Sequence, residues 1–195
     1  MCGRYVIYSD SEYEELQNIV SDTEKNLSCK SGEIYPTDKA PVIINNRLTS
    51  LNWGFYTYDS MLIINARSET VDSKPMFKTA FVKRRCLIPA NSYFEWKKEH
   101  DTKIKYEIGL TKKSLFFMAG LYSVFSDKKN NRYIGFVIIT TQANDNLSHI
   151  HTRMPVIIEP GYQKTWLDNT TNDSSILKNI LKPYNSNMTT FKISS

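Results

Sequence analysis

Cysteine stands at position 2, directly behind the starting methionine. Methionine removal favours small second residues, and Cys is small. With Met1 gone, Cys2 carries an α-amine and a thiol on adjacent carbons. Reference pKa values of about 7.7–8.0 and about 8.5 leave both groups a usable nucleophilic fraction near neutrality. Such a 1,2-aminothiol supports two chemistries. It can attack an amide carbonyl with its own amine as base. It can also trap an aldehyde: the amine forms an imine and the thiol closes on it as a five-membered thiazolidine, helped by the high effective molarity of ring closure. The plain alternative is a small residue that opens a strand.

Glu95 is the next group able to move a proton. In Tyr93-Phe94-Glu95-Trp96, strand alternation puts Glu95 on one face with Tyr93, opposite Phe94 and Trp96. A carboxyl among aromatic rings is open to a raised pKa and to general acid–base work, such as protonating a carbinolamine so that water leaves. A half-exposed surface Glu is the ordinary alternative. His151, with His149 and His100, completes the histidines. A reference pKa of about 6.5 suits proton donation near neutrality. His149 and His151 lack third and fourth partners at ligand spacing, so no metal is expected.

Positive charge gathers between Lys74 and Arg85. Lys74, Lys78, Lys83, Arg84 and Arg85 occur there without an acid, while Phe77 and Phe81 on the same stretch look like core anchors. Such a stretch suits a phosphate track.

Elements must position these groups. A short helix is expected over residues 9–20. Beyond it the chain reads mainly as strands, at 42–44, 48–53, 61–64, 86–88, 93–96, 104–110, 115–122 and 133–141. Asn45-Asn46 and Lys128-Lys129-Asn130-Asn131 read as hairpin loops. Short helices are expected at 76–83, 144–150, 163–167 and 174–181, and a final strand at 189–193 to close the sheet. The fold class is α+β: mainly antiparallel strands in a barrel-like central sheet, with short peripheral helices. No strand–helix alternation and no Gly-rich phosphate loop occurs, so no nucleotide cofactor, and no cofactor of any kind, is expected.

Composition bounds the rest. The 195 residues include 25 Lys and Arg against 20 Asp and Glu, a net charge of +5. One domain over residues 1–195 and a monomer are expected. Hydrophobic residues at 41% and charged residues at 23% exclude a disordered chain. Cys2, Cys29 and Cys86 are too few for a disulfide framework. No apolar run is long enough to span a membrane and no signal peptide is apparent, so a cytoplasmic protein is expected.

Laid out in order, several blocks carry a resemblance. They are Met1-Cys2-Gly3-Arg4-Tyr5, Asn52-Trp53-Gly54-Phe55, Asn65-Ala66-Arg67-Ser68-Glu69-Thr70, the run from Arg84 through Cys86 and Pro89 to Trp96, Ala119-Gly120-Leu121-Tyr122, Thr140-Thr141-Gln142-Ala143-Asn144 and Ile150-His151-Thr152-Arg153-Met154-Pro155-Val156. In this order and spacing they resemble the SOS-response-associated peptidase (SRAP) family, from Cys2 to about Leu167. The resemblance implies binding of single-stranded DNA and covalent capture of abasic sites, whose ring-opened sugar is an aldehyde, as a thiazolidine on the N-terminal Cys. It implies that Asn65 sits beside Cys2 and orients amine and sugar, that Glu95 is the acid–base, and that His151 assists sugar-ring opening. Arg67 and Arg153 match phosphate-holding positions, and Trp53 matches an aromatic that stacks on a base. Arg4, Lys74, Lys78, Arg84, Arg85 and Trp96 join them as the expected DNA surface. Two departures stand out: Met61 lies near where some relatives place an aromatic wedge, and Asn91-Ser92 replaces the usual Asp-Gly. The expected partner is single-stranded DNA carrying abasic sites, in the DNA-damage response. A cysteine peptidase or amidase acting in trans, and a non-covalent single-strand-binding module, are the rival readings.

Overall fold

The hairpin expected around Asn45-Asn46 forms in the computed structural model of the chain, which describes residues 2–8, 16, 19–24, 27–57, 61–111, 113–126, 132–186 and 188–193. Strands Lys39–Ile44 and Arg47–Trp53 pair antiparallel, with Ile44 opposite Arg47. Asn45 and Asn46 both take positive φ, 50° and 60°, the left-handed pair that a two-residue hairpin turn needs. Asn tolerates this region better than most L residues, and Gly tolerates it best. Asn46→Gly is therefore expected to stabilise the fold by about 0.5–1 kcal/mol, read as a higher midpoint in urea unfolding.

The elements follow in chain order. They are β1 (Arg4–Ile7), β2 (Asp22–Thr23), β3 (Gly32–Ile34), β4 (Lys39–Ile44), β5 (Arg47–Trp53), β6 (Phe55–Tyr56), β7 (Leu62–Ile63) and β8 (Asn65–Arg67). Then come α1 (Pro75–Lys83), β9 (Arg85–Ala90), β10 (Ser92–Glu99), β11 (Thr102–Leu110), β12 (Phe116–Ser126), β13 (Arg132–Gln142) and β14 (Arg153–Pro155). Helices α2 (Pro160–Leu167) and α3 (Ser174–Ile180) precede β15 (Met188–Ile193).

Two sheets carry the architecture. The larger closes on itself: β13, β12, β9, β4 and β5 pair in turn, and β5 returns to β13 in parallel through Gly135↔Asn52 and Phe136↔Trp53. The α+β, barrel-like expectation is met. Closure depends on glycine at the seam. A Cβ on Gly135 would lie 2.7 Å from the Gly54 carbonyl oxygen, closer than backbone and side chain can approach. Gly54 itself sits at φ +93°, where other residues are strained. The second sheet runs β15-β11-β10-β1-β3, and every pairing in it is antiparallel. The core is filled from both sheets, with Tyr5, Trp53, Phe81, Leu87, Tyr93 and Phe136 wholly enclosed.

Most expected strands and three of the short helices form, with ends shifted by a few residues. Pro75 and Pro160 open α1 and α2, where a missing N–H costs nothing, and Asp173 caps α3 by accepting from the Ser175 and Ile176 N–H groups. Two expectations fail. Residues 144–150 make successive turns and no helix. Gln142 pairs with Arg153 and the Ala143 N–H donates to Thr152 O at 2.9 Å, so the chain must reverse within a short loop. The last strand does not close a sheet either; β15 lies at the open edge of the second sheet, beside β11. The helix expected over residues 9–20 falls mostly outside the described residues, and the loop at 128–131 falls wholly outside them. Among the described residues no helix is long and apolar enough to cross a membrane.

Candidate active site

Cys2 lies two residues before the start of β1, and β1 pairs with β10 through Arg4↔Phe94, Tyr5↔Tyr93 and Val6↔Ser92. Carried one step further, that register sets Gly3 opposite Glu95. Local strand pairing thus brings the thiol and the carboxyl together across 93 residues of sequence, which no local signal announces. Cys2 is fully buried, and its thiol donates to the Arg4 carbonyl oxygen at 3.8 Å. Burial pushes the thiol pKa far up, and the negative charge of Glu95 pushes it further.

Glu95 is itself only 2% exposed. Burial raises its pKa above the usual carboxylate range, while the nearby His151 pulls the other way. His151 Nε2 stands 4.0 Å from Glu95 Oε2. The other ring nitrogen, Nδ1, accepts the Arg153 backbone N–H at 2.9 Å. In the neutral ring the proton therefore sits on Nε2, the nitrogen that faces Glu95. The site thus pairs a carboxyl that holds its proton unusually well with an imidazole presenting an N–H.

Asn65 arrives by another route. It opens β8, which lies parallel to β13 with Asn65 opposite Ile138. Both ends of its amide are buried and have no hydrogen-bond partner among the described residues. An amide in that condition is costly, by about 1–3 kcal/mol, unless a ligand completes it. β13 is the common support: one edge holds β8 with Asn65, and its far end holds β14, which fixes Arg153 and the preceding His151.

The expected DNA-contacting residues divide sharply. Arg67 is exposed, between buried Ala66 and Ser68, and its guanidinium makes no hydrogen bond or ion pair among the described residues. Lys74, just before α1, and Lys78, on it, are exposed, while Phe77, Ala80 and Phe81 of the helix face the core and Arg84 beyond its end is half-buried. The Arg4 guanidinium lies over the rings of Tyr35, at 4.5 Å, and half-buried Trp96, at 5.1 Å, and pairs with Glu33 at 3.2 Å. Arg153 grips Glu69 bidentately, at 2.5 and 3.0 Å, and also donates to Thr140 O at 2.7 Å.

Two of those expectations are corrected. Trp53 has no exposed face: it stacks on Phe136 at 6.4 Å, meets Tyr5 edge-on at 5.2 Å and donates Nε1–H to Ile64 O at 3.0 Å. It is a core residue that braces Ile64, next to Asn65. Arg85 is also fully enclosed, with its guanidinium donating to the carbonyls of Phe81, Val82, Trp166, Asp168 and Thr171. It ties α1 to the segment that follows α2, and offers nothing to a phosphate.

A family model described as SOS response associated peptidase (SRAP) matches residues 1–195. The chain belongs to the SRAP family. Abasic site processing protein YoqW of Bacillus subtilis strain 168 is 36% identical over 213 aligned residues, covering 100% of this chain and 93% of that protein. Abasic site processing protein YedK of Escherichia coli K12 is 29% identical, covering 86% of this chain and 79% of its own length. Among solved structures, a protein from Bacteroides thetaiotaomicron superposes with a TM-score of 0.84 at 23% identity, covering 99% of this chain and 92% of that one. The last likeness shows a shared fold.

In this SRAP chain four side chains near the site carried no distinguishing signal in the sequence. The hydroxyls of Tyr5 and Tyr93 are buried without a partner among the described residues, yet a strand tyrosine reads simply as core. Glu69, inside the Asn65–Thr70 block, holds Arg153, and that bond keeps its own pKa low. Glu33 gathers Arg4 and Lys105 Nζ, the latter at 3.0 Å. A cross-strand pair to a residue 72 positions away is invisible before the register is known.

Proposed function

We propose that this protein captures abasic sites in single-stranded DNA as a covalent thiazolidine on Cys2 once Met1 is removed. The observation that carries the reading is the grouping of the buried Cys2 thiol and Glu95 carboxyl with half-buried His151, in a member of a family whose relatives are named abasic site processing proteins.

The chemistry follows from the groups. His151 Nε2–H gives a proton to the sugar ring oxygen as the C1–O bond breaks, and the anomeric hydroxyl passes its own proton back to Nε2 as the carbonyl forms, so the ring opens to the aldehyde and the imidazole ends neutral. The Cys2 α-amine adds to the aldehyde carbon and forms a carbinolamine. Glu95, whose burial favours its protonated form, gives its proton to the carbinolamine hydroxyl, and water leaves as the iminium forms. The Glu95 carboxylate then receives the thiol proton while sulfur bonds to the iminium carbon. One water is lost overall and the carboxyl is regenerated. The unpartnered Asn65 amide can both donate to and accept from the sugar during these steps.

DNA is held by exposed Arg67, Lys74 and Lys78, by half-buried Arg84, Arg4 and Trp96 and, at the rim, by Arg153. Arg153 reaches a phosphate by exchanging Glu69 for it, one bidentate partner for another. Trp53 and Arg85 take no part, because both are enclosed. Replacing both Lys74 and Lys78 with Ala is expected to reduce the slope of log K against log salt by about 0.7 for each phosphate that the lysines neutralise. Fluorescence anisotropy with a labelled single strand over a salt series reads this directly. Covalent capture is tested on denaturing gels with an abasic-site oligonucleotide. A slow-migrating adduct absent from Cys2→Ala supports the proposal, and equal adduct from both proteins overturns it.

A further inference from the structure

The Cys2 thiol gives its hydrogen to the Arg4 carbonyl oxygen, 3.8 Å from Sγ. That arrangement suits only the neutral thiol. A thiolate has no proton to give, and a carbonyl oxygen turns its negative end toward the sulfur. Ionisation therefore leaves the sulfur without a favourable contact at a position that bulk water does not reach. A buried anion of this kind needs hydrogen-bond donors.

Two buried phenols have hydrogens to offer. Tyr5 and Tyr93 are fully buried, and neither hydroxyl has a hydrogen-bond partner among the described residues. The β1–β10 register sets the two tyrosines directly opposite each other, so both rings project from the same face of the sheet. Glu95, two residues beyond Tyr93, shares that face. Trp53 backs the Tyr5 ring from the side, at 5.2 Å, and keeps it in place. Burial, and after it the charge of the Cys2 sulfur, drives ionisation of both phenols far up. Burial thus favours the protonated phenols, whose hydroxyls can act as donors.

We propose that Tyr5 and Tyr93 are positioning residues for the nucleophile, their hydroxyls being the donors that hold the Cys2 sulfur as a thiolate. The inference deepens the function proposed above and rests on its assignment of Cys2 as the nucleophile. The balance is simple. The S–H bond breaks and an O–H bond forms on the Glu95 carboxylate. The phenols keep their hydrogens and turn them toward sulfur, whose electron pair then closes on the iminium carbon. Other titrating groups around the sulfur are Glu95 on β10, with His151 beyond it, and the α-amine that Met1 removal places on Cys2 itself. Cys29, Cys86 and Asp38 also act on Tyr5, and each, like the sulfur, disfavours its ionisation.

The test uses the Met1-free full chain, with Tyr5→Phe, Tyr93→Phe and the double variant, each checked by thermal unfolding. Thiazolidine formation with glycolaldehyde is followed by intact mass from acid to alkaline pH, and crosslinking to an abasic-site oligonucleotide is followed over the same range. In the double variant the rate profile is expected to move up by about one pH unit, so that reaction at pH 7 is about tenfold slower, with each single variant showing part of the shift. Superimposable profiles for wild type and variants overturn the inference, because a purely structural role moves the melting temperature and leaves the profile midpoint alone. If the double variant does not fold, the single variants give the same reading. A wild type that reacts with glycolaldehyde but leaves the abasic oligonucleotide unmodified overturns the proposed function, and its glycolaldehyde profiles still decide the role of the phenols.

Discussion

Glu95→Gln is expected to slow adduct formation with an abasic-site oligonucleotide by about 10²–10⁴-fold. The substitution keeps the size of the side chain and removes the proton that the carbinolamine hydroxyl needs. Rapid-quench sampling onto denaturing gels measures it. The pH dependence has a definite sign. Glu95 is an acid whose pKa is raised by burial, so its protonated, proton-giving form persists to higher pH than an ordinary carboxyl and is lost as pH rises through the raised value. The wild-type rate should therefore fall on that alkaline side in the dehydration step, and the Gln variant should lack this limb. Stability is linked to the same titration. The folded pKa lies above the unfolded one, so the wild type is favoured below the unfolded value and loses that advantage as pH rises through the folded value. Glu95→Gln does not titrate, so it should become relatively more stable than the wild type over that interval. A residue that costs stability and speeds the reaction is the usual mark of a functional group held in an unfavourable place.

Arg85→Met is expected to cost about 3–5 kcal/mol of folding stability, measured by urea unfolding. Methionine fills most of the space but satisfies none of the carbonyls of Phe81, Val82, Trp166, Asp168 and Thr171 that now receive the guanidinium. The end of α1 and the segment after α2 would lose their common tie. DNA affinity of the folded protein should be unchanged. Lys78→Ala, by contrast, removes an exposed cation from the same basic stretch and should weaken DNA binding with little effect on stability. The opposite pattern would place Arg85 on the DNA surface and Lys78 in a structural role.

These contrasts show what was legible in the sequence. Local rules carried far where the physics is local. Asn45-Asn46 announced a hairpin because few residues accept two successive left-handed positions, whereas Pro160, which opens its helix three residues before the expected start at 163, was passed over. Alternation along Tyr93-Phe94-Glu95-Trp96 separated buried Glu95 from half-buried Trp96. Long-range facts were another matter. The β5–β13 pairing that closes the barrel joins segments some 80 residues apart, and its glycine seam is visible only once both strands are placed. The turns at 144–150 carry a helical pattern that the Gln142↔Arg153 pairing overrides. Arg85 looked like its neighbours Lys83 and Arg84, yet it begins a strand buried at all six positions. The apolar run that follows it, Cys86 to Ile88, was the available hint. Trp53 was drawn to the surface by a role carried over from relatives, whereas in this chain the ring is enclosed by Phe136 and Tyr5.

The most direct test is the mass and location of the adduct. Met1-free protein is incubated with a single-stranded oligonucleotide bearing one abasic site, and the product is read by intact mass and by peptide mapping after digestion. The account predicts a mass equal to protein plus oligonucleotide less one water, mapping to Cys2, stable to borohydride because no imine remains. An adduct that maps to a lysine, that forms equally in Cys2→Ala, or that appears only after borohydride trapping would contradict it.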